Sequence, residues 1–203
     1  MSVSQVTLIY ALLAVAGALF LFWLGVLAIA SRFSDSVADS LDTIRERLAP
    51  YALPGAFTVA LLAVVGSLYF SEIAQFEPCR LCWYQRIAMY PLAVILLVAA
   101  LRRDVRAGVQ YAFVFPIVGI LIAIYHIYLE QNPSAQPSSC KVGGATCATK
   151  WIEKFGYITI PVLSITAFAA ILTLLAMAWS RRDAAAPQEP DAAVDPDAAA
   201  ARV

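Results

Sequence analysis

Pro78-Cys79-Arg80-Leu81-Cys82-Trp83-Tyr84-Gln85-Arg86 sets a Cys-x-x-Cys pair at the head of an apolar run that continues to Leu101. That run has about the 20 residues a helix needs to cross a bilayer. Two cysteines separated by two residues can close a small, exchangeable disulfide. A thiolate at a helix N-terminus is further stabilised by unpaired N–H groups and the helix dipole. Arg86, one turn below Cys82, costs at least about 2.5–3.5 kcal/mol inside a spanning helix on insertion scales, so it should face the bundle or the interface. The stretch therefore reads as redox chemistry at the water–lipid boundary.

Outward from this motif the chain remains apolar. Hydrophobic residues make up 62% and charged residues 14%, with a mean hydropathy of +0.76, which excludes an ordinary soluble domain. Five segments are long and apolar enough to cross: roughly 6–30, 53–71, 81–101, 107–129 and 157–180. Arg86 and His126 are the charged or imidazole side chains inside them. The fold class expected is an all-α integral membrane protein, a four-helix transmembrane bundle with an additional N-terminal transmembrane helix.

Arg32, Arg45, Arg47, the cluster Arg102-Arg103-Asp104-Val105-Arg106, and Arg181-Arg182 fall on one side when five spans are threaded. By the positive-inside rule that side is the cytoplasm. The loop of Cys79 and Cys82 and the loop 130–156, which carries Cys140 and Cys147, then lie on the opposite, oxidising side, where disulfides persist. A secretory signal peptide needs a basic start and a shorter apolar core. Residues 1–30 have no positive charge and are followed by Arg32, so an uncleaved anchor is expected.

Residues 31–52 are predicted to form a cytoplasmic amphipathic linker helix, since Val37, Leu41, Ile44 and Leu48 recur at helical spacing. Its acidic and basic residues read as a solvated face. Residues 53–182 form the membrane domain, and the short link 101–107 makes the third and fourth spans antiparallel neighbours. The tail 183–203, rich in Ala, Pro and Asp, is expected to be a disordered cytoplasmic tail. Turn formers such as Asn132-Pro133 and Gly143-Gly144 make the loop around Cys140 and Cys147 mobile and exposed. After it, Trp151, Ile152 and Phe155 share one side of a short helical pattern suited to the interface.

Three readings of the cysteines compete. Cys79/Cys82 and Cys140/Cys147 could be static structural disulfides, although a four-residue ring at a helix end restrains little. Two cysteine pairs could also supply four zinc ligands. The third reading is a relay in which a loop pair exchanges thiols with a soluble protein and the helix-end pair passes electrons to a lipid-soluble acceptor. With no haem, flavin or iron–sulfur pattern in the chain, a quinone is the economical acceptor. Arg86, four residues after Cys82, would then favour both a thiolate and a developing quinone anion. His126 would serve quinone hydrogen bonding or proton delivery.

PCRLCWYQRIAMYP at 78–91, AIYHIYLEQNP at 123–133, the Cys140/Cys147 pair and WIEKFGYITIPVLSITAF at 151–168 resemble the bacterial disulfide bond formation family, DsbB, and especially its BdbC-like branch. The resemblance covers roughly 53–180. It implies a four-helix membrane bundle in the bacterial cytoplasmic (inner) membrane that oxidises a thioredoxin-fold, DsbA-like partner and passes electrons to ubiquinone or menaquinone. On it, Cys79 and Cys82 are the quinone-coupled pair, with Cys82 nearest the ring. Arg86 and His126 are the quinone-side residues, and Cys140 and Cys147 exchange with the partner through Cys140. The chain departs from the family in its extra N-terminal span and in the short interval from Cys140 to Cys147. A vitamin K epoxide reductase-type oxidoreductase would place the loop pair before the membrane Cys-x-x-Cys, the reverse of the order here. A non-enzymatic scaffold or redox sensor would need only static disulfides.

Overall fold

The computed structural model describes residues 2–102, 105–141 and 144–185. It is an all-α membrane protein. Among the described residues five helical segments are long and apolar enough to span a bilayer: Val3–Ala30, Asp35–Ile73, Arg80–Arg102, Val109–Gln131 and Ile160–Trp179. The helices are α1 (Val3–Ala30), α2 (Asp35–Leu68), α3 (Arg80–Arg102), α4 (Val105–Ala112), α5 (Val114–Gln131) and α6 (Ile160–Ala185).

Helix α6 is the hub. It packs on α2, α5, α4 and α1, while α3 lies against α2 and α5, so α2, α3, α5 and α6 make the bundle and α1 leans on α6 and α2. Ala52, Ala56 and Ala60 recur every four residues along α2 and are fully buried, as are Leu92 and Leu96 of α3 and Phe168, Ile171 and Leu175 of α6. Small residues at this spacing let helix backbones approach closely, which matters in lipid because apolar surface gains little from leaving apolar solvent. Gly119 of α5 is the tightest such point, because a Cβ there would overlap the ring of Phe168. Gly119→Val should therefore cost about 1–3 kcal/mol by overpacking. Denaturation in detergent should show it as a lowered midpoint with helix content retained in the folded state.

Two local expectations are corrected. The linker helix expected at 31–52 is no separate element: it is the first half of α2, which runs on through Pro50 and Pro54 into the span. Each proline removes one i→i−4 bond. The carbonyls so released belong to Glu46, which is exposed, and to Pro50. The fourth span is found as expected, as Val109–Gln131, with a weak point at Phe113, between α4 and α5, whose own N–H still bonds the Val109 carbonyl (3.1 Å). Pro116 has no N–H to give to the Ala112 carbonyl, so the helical ladder loses a rung at that junction. The segment 151–155 is not helical. Lys154 and Ile158 exchange two backbone bonds (3.0 and 2.9 Å), and Phe155 and Gly156 take φ of +55° and +77° to turn the chain between them. Of the expected tail at 183–203, residues through Ala185 continue α6, and the remainder lies outside the described residues.

At the cysteine end, α2 finishes in a π-helical turn, Tyr69–Ile73. Gln75, with φ of +58°, then turns the chain back toward Pro78. Phe70, Phe76 and Trp151 stack in sequence with centroids 6.0 and 5.4 Å apart, joining this loop to the one before α6.

Candidate redox site

Cys79 stands immediately before α3, and its carbonyl accepts the Trp83 N–H (3.1 Å), as an N-cap does. Its sulfur receives the Cys82 backbone N–H at 3.4 Å. The Cys82 sulfur lies 3.1 Å away, and His126 Nε2 lies at 3.6 Å. The Cys82 thiol is the largest influence on Cys79. Burial acts next and in the opposite sense, followed by the His126 hydrogen bond and charge; the net effect lowers the Cys79 pKa to about 4. A sulfur held at a helix start with three donors around it is built to be a thiolate.

His126 is buried, 2% exposed, and its Nδ1 lies 3.2 Å from Gln85 Nε2. Gln85 thus holds the Nδ1 edge of the ring and turns Nε2 toward Cys79, where an Nε2–H can donate to the sulfur. One turn further along α5, buried Glu130 accepts the Thr159 hydroxyl at 2.7 Å. Gln85, Glu130 and Thr159 were not legible as site residues. Their only signal in the sequence is polarity: Gln85 within an apolar span, and Glu130 and Thr159 at span ends.

Cys140 and Cys147 form a disulfide, Cα–Cα 5.8 Å. They are buried, at 3% and 0% exposure, within a loop whose residues 132–135 and 137–139 are exposed as expected. Gly144 donates its backbone N–H to Glu77 Oε2 (2.8 Å). Trp151 Nε1 donates to the Glu77 carbonyl (3.2 Å), and Ala148 N donates to Gln136 Oε1 (3.2 Å). Turn-forming residues favour a loop but do not say whether tertiary bonds will hold it. The consequence is that Cys79, Cys140 and Cys147 share one buried cluster with Leu81 and Leu129, and Cys82 packs at its edge.

On its other side Cys82 lines a cavity of about 280 Å³. The cavity is mostly apolar, and Cys82, Gln85 and Arg86 lie together in the stretch of α3 that borders it. Arg86 faces the bundle: its Nη2 donates to the Ser67 carbonyl (3.0 Å), and its guanidinium lies 5.2 Å from the Trp83 ring centroid. Such bonds repay part of the cost of an intramembrane charge. His126 is not among the residues lining the cavity. The structure brings it to Cys79, on the thiol side of the pair.

The donor atoms of Cys79, Cys82 and His126 lie within 4.8 Å of one another, a set that could also hold a metal ion. With Cys140 and Cys147 bonded to each other, the four-thiolate zinc site weighed from the sequence is not what this arrangement offers.

No solved structure matches the chain. The disulfide bond formation protein C of Bacillus subtilis is 45% identical over 126 residues, 62% of this chain and 90% of that protein. The probable disulfide formation protein C of Halalkalibacterium halodurans is 44% identical over 117 residues, 58% of this chain and 85% of that protein. Residues 50–179 match the family described as disulfide bond formation protein DsbB. That match takes in both cysteine pairs, Arg86 and His126, and the chain accordingly belongs to the DsbB family of membrane disulfide-forming proteins.

Proposed function

We propose that this protein is a thiol oxidase of the bacterial cytoplasmic membrane that reoxidises a DsbA-like, thioredoxin-fold partner and delivers the two electrons to ubiquinone or menaquinone. The observation that carries the reading is the two-faced placement of the inner pair: Cys79 packs with the Cys140–Cys147 disulfide, and Cys82 borders the cavity. Residues 53–182 are the redox unit in this reading. The arginine distribution argues for cysteine loops outside and the C-terminal tail inside.

The exchange balances in two steps before electrons leave. A partner thiolate attacks Cys140, breaking the Cys140–Cys147 bond and releasing the Cys147 thiolate. The partner's second thiolate then resolves the mixed disulfide, leaving the partner oxidised and Cys140 and Cys147 as a dithiol. That dithiol reduces the Cys79–Cys82 disulfide and closes its own. Cys79 is left as the thiolate held by Cys82 and His126, and Cys82 as the thiol facing the cavity. A quinone supplies a two-electron, two-proton acceptor, and re-forming the Cys79–Cys82 bond releases that electron pair. The residues suit such a group: an apolar cavity for a prenyl tail, and the Arg86 guanidinium and Gln85 amide among its lining to favour a negatively charged ring oxygen.

The test is bleaching of an added short-chain quinone by purified protein and reduced partner. In Arg86→Leu the quinone KM should rise about tenfold or more, while the single-turnover oxidation of partner by the resting disulfides falls much less. Equal loss in both steps would make Arg86 a structural residue and remove it from the quinone site.

A further inference from the structure

Helix α1 lies outside the residues that match the family, yet it forms part of the same cavity as Cys82 and Arg86. Tyr10, Leu13, Ala14 and Gly17 all line it. Their spacing of three and four residues puts them on one face of α1. On other faces of the helix Leu12, Leu19 and Phe22 are exposed, so α1 stands between the cavity and the lipid.

The contact is specific at its cysteine end. The Tyr10 hydroxyl donates to the Leu62 carbonyl of α2 at 3.0 Å, and its ring meets Phe70 edge-on at 5.5 Å. Gly66 makes room for it: a Cβ at that position would come within 2.5–2.8 Å of the tyrosine ring and hydroxyl. Two turns away from Tyr10, Gly17 lies close against Thr166 of α6, where a Cβ would stand 3.2 Å from the threonine methyl. Tyr10 and Gly17 thus seat the helix against α2 and α6, and the short side chain of Ala14 keeps the cavity wide between them.

We infer that α1 is the lipid-side wall of the ligand site, and that Tyr10, Leu13 and Ala14 decide which lipid-soluble redox ring and tail the site accepts. The inference rests on the quinone reading above and adds to it residues beyond the family's own. Without α1 the cavity would open along its length to the bilayer. With it, a flat ring reaching Cys82 must fit between α1 and the α2 and α6 faces.

The test uses the full chain in lipid nanodiscs and measures equilibrium binding of decylubiquinone and of a short-chain menaquinone by quenching of tryptophan fluorescence, since Trp151 also borders the cavity. Ala14→Phe, which fills the cavity from α1, should raise Kd about tenfold or more for both. Leu13→Ala, which widens it, should shift preference toward the bulkier naphthoquinone ring, and it keeps the inference testable if Ala14→Phe fails to fold. Wild-type binding with unchanged Kd and unchanged preference in folded variants would overturn the role of α1 and leave the quinone reading standing. Absence of binding by the wild-type protein to either quinone would instead overturn the quinone reading itself, and the inference with it.

Discussion

Cys82→Ser abolishes sustained electron transfer from thiols to quinone but still oxidises about one equivalent of partner, because the Cys140–Cys147 bond remains available for a single exchange. Cys140→Ser removes even that first equivalent. Steady-state rates in both variants should fall by at least about 1,000-fold, since a serine hydroxyl can neither carry the electron pair nor close the bond that releases it. Quantifying oxidised partner per protein after rapid mixing separates the two variants. Steady turnover in either would sink the relay. The result also bears on the burial of Cys140 and Cys147, for a purely structural disulfide would give no first equivalent in the wild type.

His126→Leu should move the pH midpoint for alkylation of reduced Cys79 upward from about 4. The sign follows from which form of the sulfur is stabilised. Hydrogen bonds to the Cys79 sulfur and the nearby imidazole favour the thiolate, so deleting the ring favours the thiol and raises the pKa toward the ordinary cysteine value of about 8.5. Wild-type Cys79 should react at a constant rate from pH 6 to 8, being already deprotonated. The variant keeps the Cys82 hydrogen bond, which is the larger influence, so the shift is partial. Once the midpoint passes pH 6, each further unit lowers the rate at pH 6 about tenfold. Mass spectrometry of the Cys79 peptide after timed iodoacetamide treatment reads this directly. An unmoved midpoint would remove His126 from the thiolate site.

The spans were legible because a bilayer imposes length and apolarity on contiguous residues, and both are local properties. The same locality explains the errors. Amphipathic spacing at 37–48 showed a helix but not that it would join α2, because continuity through Pro50 and Pro54 depends on what meets the carbonyls they release. The pattern Trp151, Ile152, Phe155 matched a helix face. The fold instead spends Trp151 on Phe76 and the Glu77 carbonyl, and turns the chain at Gly156. Turn residues around Cys140 gave the exposed loop, and residues 132–135 and 137–139 are exposed, but not the bond that ties it to Glu77, 67 positions away in sequence from Gly144.

By itself the sequence determined the membrane class, the helix-end placement of Cys79 and Cys82 and the arginine one turn below, since each follows from composition or from spacing within a single segment; the family was legible as a resemblance carried by motifs spread over 78–168. Only the tertiary structure decided which sulfur faces which chemistry. Cys79 meets His126 across 47 positions of chain, and Cys82 meets a cavity whose far wall is α1. Spacing within α3 puts the two cysteines at one helix end but cannot say which neighbour each will face. That is set by how α1, α2, α5 and α6 pack around that end, where glycines and alanines allow the backbones to close.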